Sequence, residues 1–334
     1  MKILVVGAGL SGSVIARELA DSGLVVTVID KRPHVAGNCY DYINNIGIRI
    51  HKYGPHLFHT SNQQVFDYLS RFTDWLPYRH RVKALLKDGS LVTIPVNKET
   101  SLIVGKENVL DIFYRPYSKK MWGVPIEALD PSIMGRVPIR EDMNEDYFPN
   151  DLYQGLPKHG YTVMATRILE HTNISVELEK PFESGMVRKF DHVFNSMAID
   201  EFFGFRHGVL PYRSIKFHHF DLPVPNLFNR PSVNFTHDGP FTRLTEWKNL
   251  PGHGAHAYLT SITVEEPCDF SENEFERYYP VKDVDGLNRA LYARYAAMTP
   301  ANMTFIGRCG LYAYLDMHQA VSTALAISKK FLQR

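Results

Sequence analysis

A glycine turn near the N-terminus constrains this chain more than any other feature. Residues 2–6 (KILVV) form an unbroken apolar run that stops at Gly7. Gly7-Ala8-Gly9-Leu10-Ser11-Gly12 then opens a stretch, 12–22, with the apolar period of a helix, ended by Gly23. A second apolar run, 24–29, ends at Asp30. Strand, glycine turn, helix and strand within about 30 residues make a βαβ unit. Glycines so placed permit a tight turn and let a pyrophosphate approach the backbone at the positive end of the helix, while an acid closing the second strand suits a ribose hydroxyl pair. Gly7, Gly9, Ser11, Gly12 and Asp30 are therefore expected to hold a dinucleotide. Just beyond, Lys31-Arg32 and Gly37-Asn38 add a second basic, glycine-containing segment, which favours FAD over a nicotinamide cofactor and brings Lys31, Gly37 and Asn38 into the expected cofactor set.

The remaining pattern predicts what is built around that unit. A helix is expected at 62–72 with Ser61 as its cap, and 79–96 alternates like a hairpin turning at Asp88-Gly89. Stretches 106–122, dense in aromatic and basic residues, and 160–171 read as helical. Several strands separated by Pro, Asn and Gly fill 210–264, as in an antiparallel sheet, and a last strand at 303–306 leads through Gly307 to a closing helix at 317–332. The expected fold class is α/β. A discontinuous Rossmann-like FAD-binding domain takes 1–78, 192–210 and 295–334, a small helical domain takes 98–134, and an antiparallel sheet domain takes 79–97, 135–191 and 211–294.

Charge and cysteine usage exclude several function classes. With 37 basic against 36 acidic residues there is no global field to steer the protein to nucleic acid or a membrane surface, so any anion site must be local. Cys39, Cys268 and Cys309 are odd in number, scattered and without a CxxC pair, which argues against a disulfide framework or a zinc site and fits a reducing cytoplasm. The apolar start lacks a signal-peptide pattern, and no stretch approaches the roughly 20 apolar residues of a spanning helix. His51, His56 and His59 have no acidic partner at metal-ligand spacing, so no metal is expected; a place beside a cofactor and a place in the core are the two readings. There is no GxSxG elbow, no Walker A loop and no pair of carboxylates that spacing singles out, which leaves the chemistry to the cofactor.

Local anion sites have candidates. Arg136 and Arg140 flank Val137-Pro138, Arg213 follows Tyr212, Arg243 follows Phe241-Thr242, and Arg308 follows Gly307. Guanidinium forks suit a diphosphate, and surface salt bridges are the competing reading. Aromatic clusters at Phe113, Tyr117 and Trp122, at Tyr147-Phe148, at Tyr278-Tyr279 and at Tyr312 and Tyr314 suit base stacking, a sugar pocket or simply the core.

Taken together, these motifs resemble the prokaryotic UDP-galactopyranose mutase family. The segments are GAGLSG (7–12), HKYGPHLFHT (51–60), YSKKMWG (117–123), RVPIR (136–140), DYFPNDLYQGLPKHGYT (146–162), YRSIKF (212–217), FTR (241–243), YYPV (278–281) and IGR to YAYLDMHQ (306–319), in the family's order and over most of the chain. The resemblance implies an FAD enzyme, active when reduced by NAD(P)H or another external donor. It would interconvert UDP-galactopyranose and UDP-galactofuranose, or a close analogue, through a covalent flavin N5–sugar adduct with no net redox change, for polysaccharide biosynthesis. A homodimer is expected. Matching motifs imply that Arg140 and Arg243 grip the diphosphate with help from Tyr279 and Tyr314, that Phe113 and Tyr117 flank the base, and that Trp122 borders the sugar. Arg136, Tyr147 and Phe148 complete the expected substrate set. His56 and His59 would lie beside the isoalloxazine and join Arg140 and Arg243 as the catalytic set, with Arg308 near the flavin and Asp316 and Met317 at the start of the closing helix. The chain also departs from the family. It has far fewer residues between the hairpin and Tyr117, which shortens the helical domain. Ala36 replaces a flavin-loop glycine, Ser196-Met197 replaces a Thr-Gly pair, and Cys309 and Leu311 alter the surroundings of the sugar. A mutase acting on a dTDP-linked deoxyhexose and an amine-oxidase-like FAD oxidoreductase are the alternatives.

Overall fold

The structure, a computed structural model, describes residues 1–129 and 139–333. Five parallel strands form one sheet in the order Ile174–Glu177, Val25–Ile29, Lys2–Val6, His192–Asn195 and Met303–Phe305. Lys2–Val6 takes the centre because its apolar run is covered on both faces, as parallel sheets require. Ile3 and Val5 pack with Val14, Leu19 and Val321 on one side, while Leu4 and Val6 pack with Val193, Phe305 and Tyr295 on the other. Helix Leu10–Asp21 lies against the closing helix Met317–Leu332 and against helix Tyr161–Leu169. The two ends of the chain thus complete one unit, as the glycine turn and the last apolar run lead one to expect.

Strand Ile174–Glu177 corrects the expected domain boundaries. The sequence reading placed 135–191 in the antiparallel body, yet this strand extends the parallel sheet at its edge, pairing with Val25–Ile29. Only one neighbour and one partly buried apolar residue, Ile174, hold it there, so it lacks the continuous apolar run that marks a central parallel strand.

A seven-stranded sheet forms the second body, in the order Tyr279–Pro280, Tyr212–Leu222, Thr260–Asp269, Arg243–Glu246, Ser232–Phe235, Val82–Leu85 and Leu91–Ile94. It is antiparallel except where Ser232–Phe235 runs parallel to Val82–Leu85. The expected hairpin is its outer edge: Gly89 at φ +86° donates its N–H to Leu86 O at 3.0 Å. One row of facing residues, Ala84, Asn234, Arg243, Glu265 and Phe217, crosses five strands. Cross-strand partners share a face, so this row sets the site.

Two helical details differ from the sequence reading. Helix Gln63–Ser70 is capped by Asn62, whose side chain accepts from Val65 N at 3.2 Å, while Ser61 donates to Asn150 O at 3.0 Å. Asn62 stands three residues before the N–H it satisfies, the reach an N-cap needs. The stretch expected as one helix at 106–122 is divided. Helix Lys98–Val104 is followed by a 3-10 turn at Lys106–Asn108, a π turn at Leu110–Tyr114 and helix Arg115–Trp122. Pro116 has no N–H to give and crowds the turn before it, and Arg115 N–H reaches back to Leu110 O. Among the described residues no helix is long and apolar enough to cross a membrane.

Candidate active site

A cavity of about 360 Å³ opens at the glycine turn. Its lining includes Gly7, Gly9, Ser11, Gly12, Asp30, Lys31, Gly37, Asn38, His56, Arg308 and Met317, which is every expected cofactor residue except Asp316. Asp316 instead caps the closing helix, reciprocally with Gln319, whose side chain accepts from Asp316 N at 2.9 Å. The turn tolerates only glycine at two points. Gly7 sits at φ +100° with an added Cβ 1.9 Å from Ser196 Oγ, and a Cβ on Gly12 would stand 1.9 Å from Gly7 O. Helix Leu10–Asp21 begins at Gly9 with no side-chain cap, so its first N–H groups are left for an anion. This cradle fits the diphosphate of a dinucleotide.

Asp30 organises the turn as well as lining the cavity. Its carboxylate accepts from Ala8 N at 2.8 Å and from Arg32 N at 2.9 Å. Arg32, which the sequence reading left unassigned, donates to Asn38 Oδ1 at 2.9 Å and to Glu276 Oε2 at 2.7 Å, closing one side of the cavity, with Lys31 more loosely placed 3.8 Å from Glu276.

His56 is held as a neutral ring. Its Nδ1 lies 2.9 Å from Gly54 O, which can only accept, so this nitrogen carries the proton. Burial lowers its pKa to about 4, and the nearby Arg308 and Arg243 charges act in the same direction. Its backbone N–H donates to His51 Nδ1 at 3.0 Å. His51 therefore carries its proton on Nε2, 3.0 Å from His253 Nε2, and His253 in turn directs Nδ1–H to Pro251 O at 3.0 Å. Burial holds His51 well below its ordinary value, and it draws His253 down to about 4. Three uncharged rings thus support the loop beside the cavity.

His59 takes a different place. It stacks on Phe148 at 3.5 Å with the planes 6° apart, holds Asp151 Oδ2 2.6 Å from Nδ1, and meets His318 edge-on at 5.3 Å. Possible ligand atoms of His59, Asp316 and His318 lie within 4.8 Å of one another, a grouping that spacing along the chain does not reveal. A cation there would face the positive end of the closing helix, whose first turn Asp316 already caps, and we assign no metal to it.

Arg308 reaches Tyr278 O at 3.1 Å and Leu315 O at 2.6 Å, with its guanidinium 5.2 and 5.3 Å from the rings of Tyr279 and Tyr314. Those two rings are stacked at 5.0 Å. Trp122 packs with Met121, Leu129, Ile215 and Tyr278 and comes within 6.0 Å of the Tyr279 ring, so it supports the tyrosine pair from the core.

A second cavity, of about 110 Å³, lies between the helical segment and the seven-stranded sheet. The π turn and the following helix supply Phe113, Tyr114 and Tyr117, the sheet supplies Ala84, Ile94, Asn234, Arg243 and Glu265, and Tyr147 adds a further ring. Arg243 is locked in a two-pronged pair: Nε and Nη2 each stand 2.9 Å from an oxygen of Glu265. Burial alone would work against this charge, but the Glu265 carboxylate holds the guanidinium protonated above its ordinary value. Asn234 Oδ1 is buried with no hydrogen-bond partner, an acceptor at the wall of the cavity. Arg140 lines neither cavity and gives its Nη1 to Asp146 O at 2.8 Å and its Nη2 to Pro95 O at 3.3 Å. Phe148 lies against His59, and Arg136 falls outside the described residues.

Glu265 and Asn234 escaped the sequence reading because their meaning depends on register. Glu265 gave no signal of its own, since it stands beside Glu266 in a strand rich in polar residues, and only the fold shows its side chain to be 3% exposed.

A glycine-turn cradle lined by His56, with a second, aromatic pocket lined by Arg243, defines a Rossmann-type dinucleotide-binding protein. Comparison with known proteins narrows the class. The family model described as NAD(P)-binding Rossmann-like domain matches residues 5–72, and the one described as UDP-galactopyranose mutase matches residues 112–314. The chain is 34% identical to a probable UDP-galactopyranose mutase of Klebsiella pneumoniae, over 99% of this chain and 94% of that protein. It is 34% identical to the UDP-galactopyranose mutase of Mycoplasma pneumoniae (99% and 96%) and 32% identical to the dTDP-fucopyranose mutase of Escherichia coli (99% and 98%). The chain belongs to the UDP-galactopyranose mutase family of isomerases. The Klebsiella match runs over 376 residues against the 334 of this chain, so that relative carries segments missing here. The fold is that of a crystal structure of reduced UDP-galactopyranose mutase, with TM-score 0.77 and 15% identity over 99% of this chain and 95% of that one. It is shared more distantly with a putrescine oxidase variant, with TM-score 0.59 and 12% identity over 100% and 99%.

Proposed function

We propose that this chain is a flavin-dependent mutase that interconverts the pyranose and furanose forms of a nucleotide-linked hexose, with UDP-galactose as the default substrate. The observation that carries the reading is the row Ala84, Asn234, Arg243, Glu265 and Phe217 across the sheet. One part of that row lines the aromatic cavity, and the other meets the His56 loop, where an added Cβ on Gly54 would stand 2.6 Å from the Phe217 ring and 3.3 Å from Glu265 Oε1. A guanidinium therefore sits between a base-sized pocket and the dinucleotide cavity, where the diphosphate of a nucleotide-sugar belongs.

Bound and reduced, FAD would supply the nucleophilic nitrogen that keeps hold of the anomeric carbon while the sugar ring opens and recloses, without net redox change. The chain's own residues do the rest. The bare N–H groups of the first helix hold the cofactor's diphosphate. Arg243, fixed on one edge by Glu265, offers its other edge to the substrate's diphosphate and steadies the charge that develops there as it departs. Phe113 and Tyr117 take the base between aromatic faces. Tyr279 and Tyr314 add hydroxyl contacts, and His56 presents an unprotonated Nε2 beside the cofactor, whereas His59 and Arg140 line neither cavity. An external donor such as NAD(P)H would keep the flavin reduced, and the three free thiols suit the cytoplasm.

A second substrate merits the same assay. The wall of Ala84, Ile94 and Val96 is apolar enough for a methylated base, and one relative is named for a dTDP-linked sugar. The test is incubation of dithionite-reduced protein with UDP-galactopyranose and with dTDP-fucopyranose beside oxidised controls, resolving products by anion exchange. We expect a furanose product only under reduction. Turnover of neither sugar, with FAD bound, would sink the reading.

A further inference from the structure

The helical segment that forms one wall of the second cavity has little to hold it in place on its own. Helix Arg115–Trp122 spans eight residues, too few to persist alone in water, and a π turn precedes it. Beside the apolar packing of Met121 and Trp122 on Ile215, a half-buried ammonium fastens it to the sheet. Lys120 Nζ donates to Phe235 O at 2.8 Å, to Phe241 O at 2.9 Å and to His237 O at 3.1 Å, the full complement of donors that a lysine carries. These carbonyls belong to the connection between strands Ser232–Phe235 and Arg243–Glu246, and the same connection brings Phe235, Thr236 and Thr242 to the cavity. Tyr117 stands three residues before Lys120 on the same helix. At the helix C-terminus Arg213 adds a second tie, from Nε to Met121 O at 2.8 Å and from Nη2 to Lys120 O at 3.2 Å. Gly123, at φ +73°, makes room for it, since a Cβ there would stand 3.2 Å from Arg213 Nη1.

We propose that Lys120 is a positioning residue for nucleotide binding, which sets the gap between the aromatic helix wall and the sheet wall so that the pocket is formed before the ligand arrives. The inference rests on the reading that this cavity receives the base of a nucleotide-sugar. Lys120 acts through the walls, because its three N–H groups are all given to carbonyls. Each of those bonds joins one wall to the other. A pocket shaped in advance spares the ligand the ordering of two aromatic side chains and a short helix.

The experiment compares UDP binding to the FAD-loaded protein by calorimetry with the kcat and KM of the reduced enzyme. Lys120→Met is expected to raise the UDP Kd and the KM about tenfold and to change kcat by less than about twofold. Lys120→Arg, which keeps the charge and donors, should recover most of the affinity, and Arg213→Met, which loosens only the helix end, should raise Kd by a smaller factor. Wild-type Kd in Lys120→Met, or a fall in kcat at unchanged Kd, would overturn the proposal. Should Lys120→Met fail to fold, a wild-type Kd in Arg213→Met overturns it equally. Failure of the wild type to bind either UDP or dTDP removes the base-site reading itself, whereas binding that ignores Lys120 removes only this inference.

Discussion

The cofactor cavity and the aromatic cavity are built by different means. The first is made of backbone. Its floor is a glycine turn between strands buried on both faces, and its anion donors are peptide N–H groups that no side chain can replace. The second is made of side chains brought from far apart in sequence: an aromatic π turn, an arginine pinned by a buried glutamate, and a lysine spread over three carbonyls. A backbone site fails as a whole when one atom is added to it. A side-chain site weakens in steps, so substrate choice can drift while the cofactor stays.

The sharpest way to break that contrast is Gly7→Ala. The methyl would meet Ser196 Oγ in a backbone conformation that L side chains rarely adopt, and we expect FAD affinity to fall by roughly a thousandfold or the protein not to fold. Flavin content by absorbance, with the melting temperature, reads this; retention of wild-type flavin would count against a backbone-built site.

Arg243→Lys should act on the other cavity alone. A single ammonium cannot keep both prongs on Glu265 and still face a diphosphate, so kcat/KM is expected to fall about 100-fold to 1,000-fold with flavin content unchanged. Loss of flavin in this variant would show that the two cavities are less separable than their construction implies.

Acid should touch the seam between them. His56 and His253 have folded pKa values lowered to about 4, below the ordinary 6.5. Their stabilising contribution as neutral rings is full above about 6.5 and is lost as pH falls toward about 4, because the unfolded chain binds protons first. For His56 this amounts to on the order of 2–3 kcal/mol. Urea denaturation between pH 7 and pH 4.5 measures it, and His253→Leu should flatten the slope. An unchanged slope would mean that these rings are not held neutral.

How much of this was legible in the sequence follows the same division. The glycine turn was readable because its contacts are local and its chemistry is written in three glycines and one acid. Even its departure is informative: Ala36, where the family has glycine, stands at φ +70°, so the backbone demand outlived the residue that meets it best. Phe113, Tyr117 and Arg243 stood out as an aromatic cluster and an anion-site candidate, and their proposed roles came from the resemblance. Asn234, Glu265 and Lys120 were not, since each takes its role from strand register or from partners far along the chain; Lys120 and Phe235 are 115 residues apart. The Ile174–Glu177 strand was missed for a related reason, because an edge position asks too little of its side chains to leave a pattern.

The pairing of the first strand with His192–Asn195, and of that strand with Met303–Phe305, also governs the order in which the protein can come into being. On the ribosome the glycine turn is made well before His192–Asn195, its sheet neighbour on one side, and before the helix Met317–Leu332 that covers its own helix. The cofactor seat therefore cannot mature during synthesis of the first half, and the nascent chain must carry one unpaired edge of the first strand until His192–Asn195 is made. Cofactor capture must wait for the segment that brings Gly307, Arg308 and Met317 to the cavity, and chaperone demand should be greatest before it.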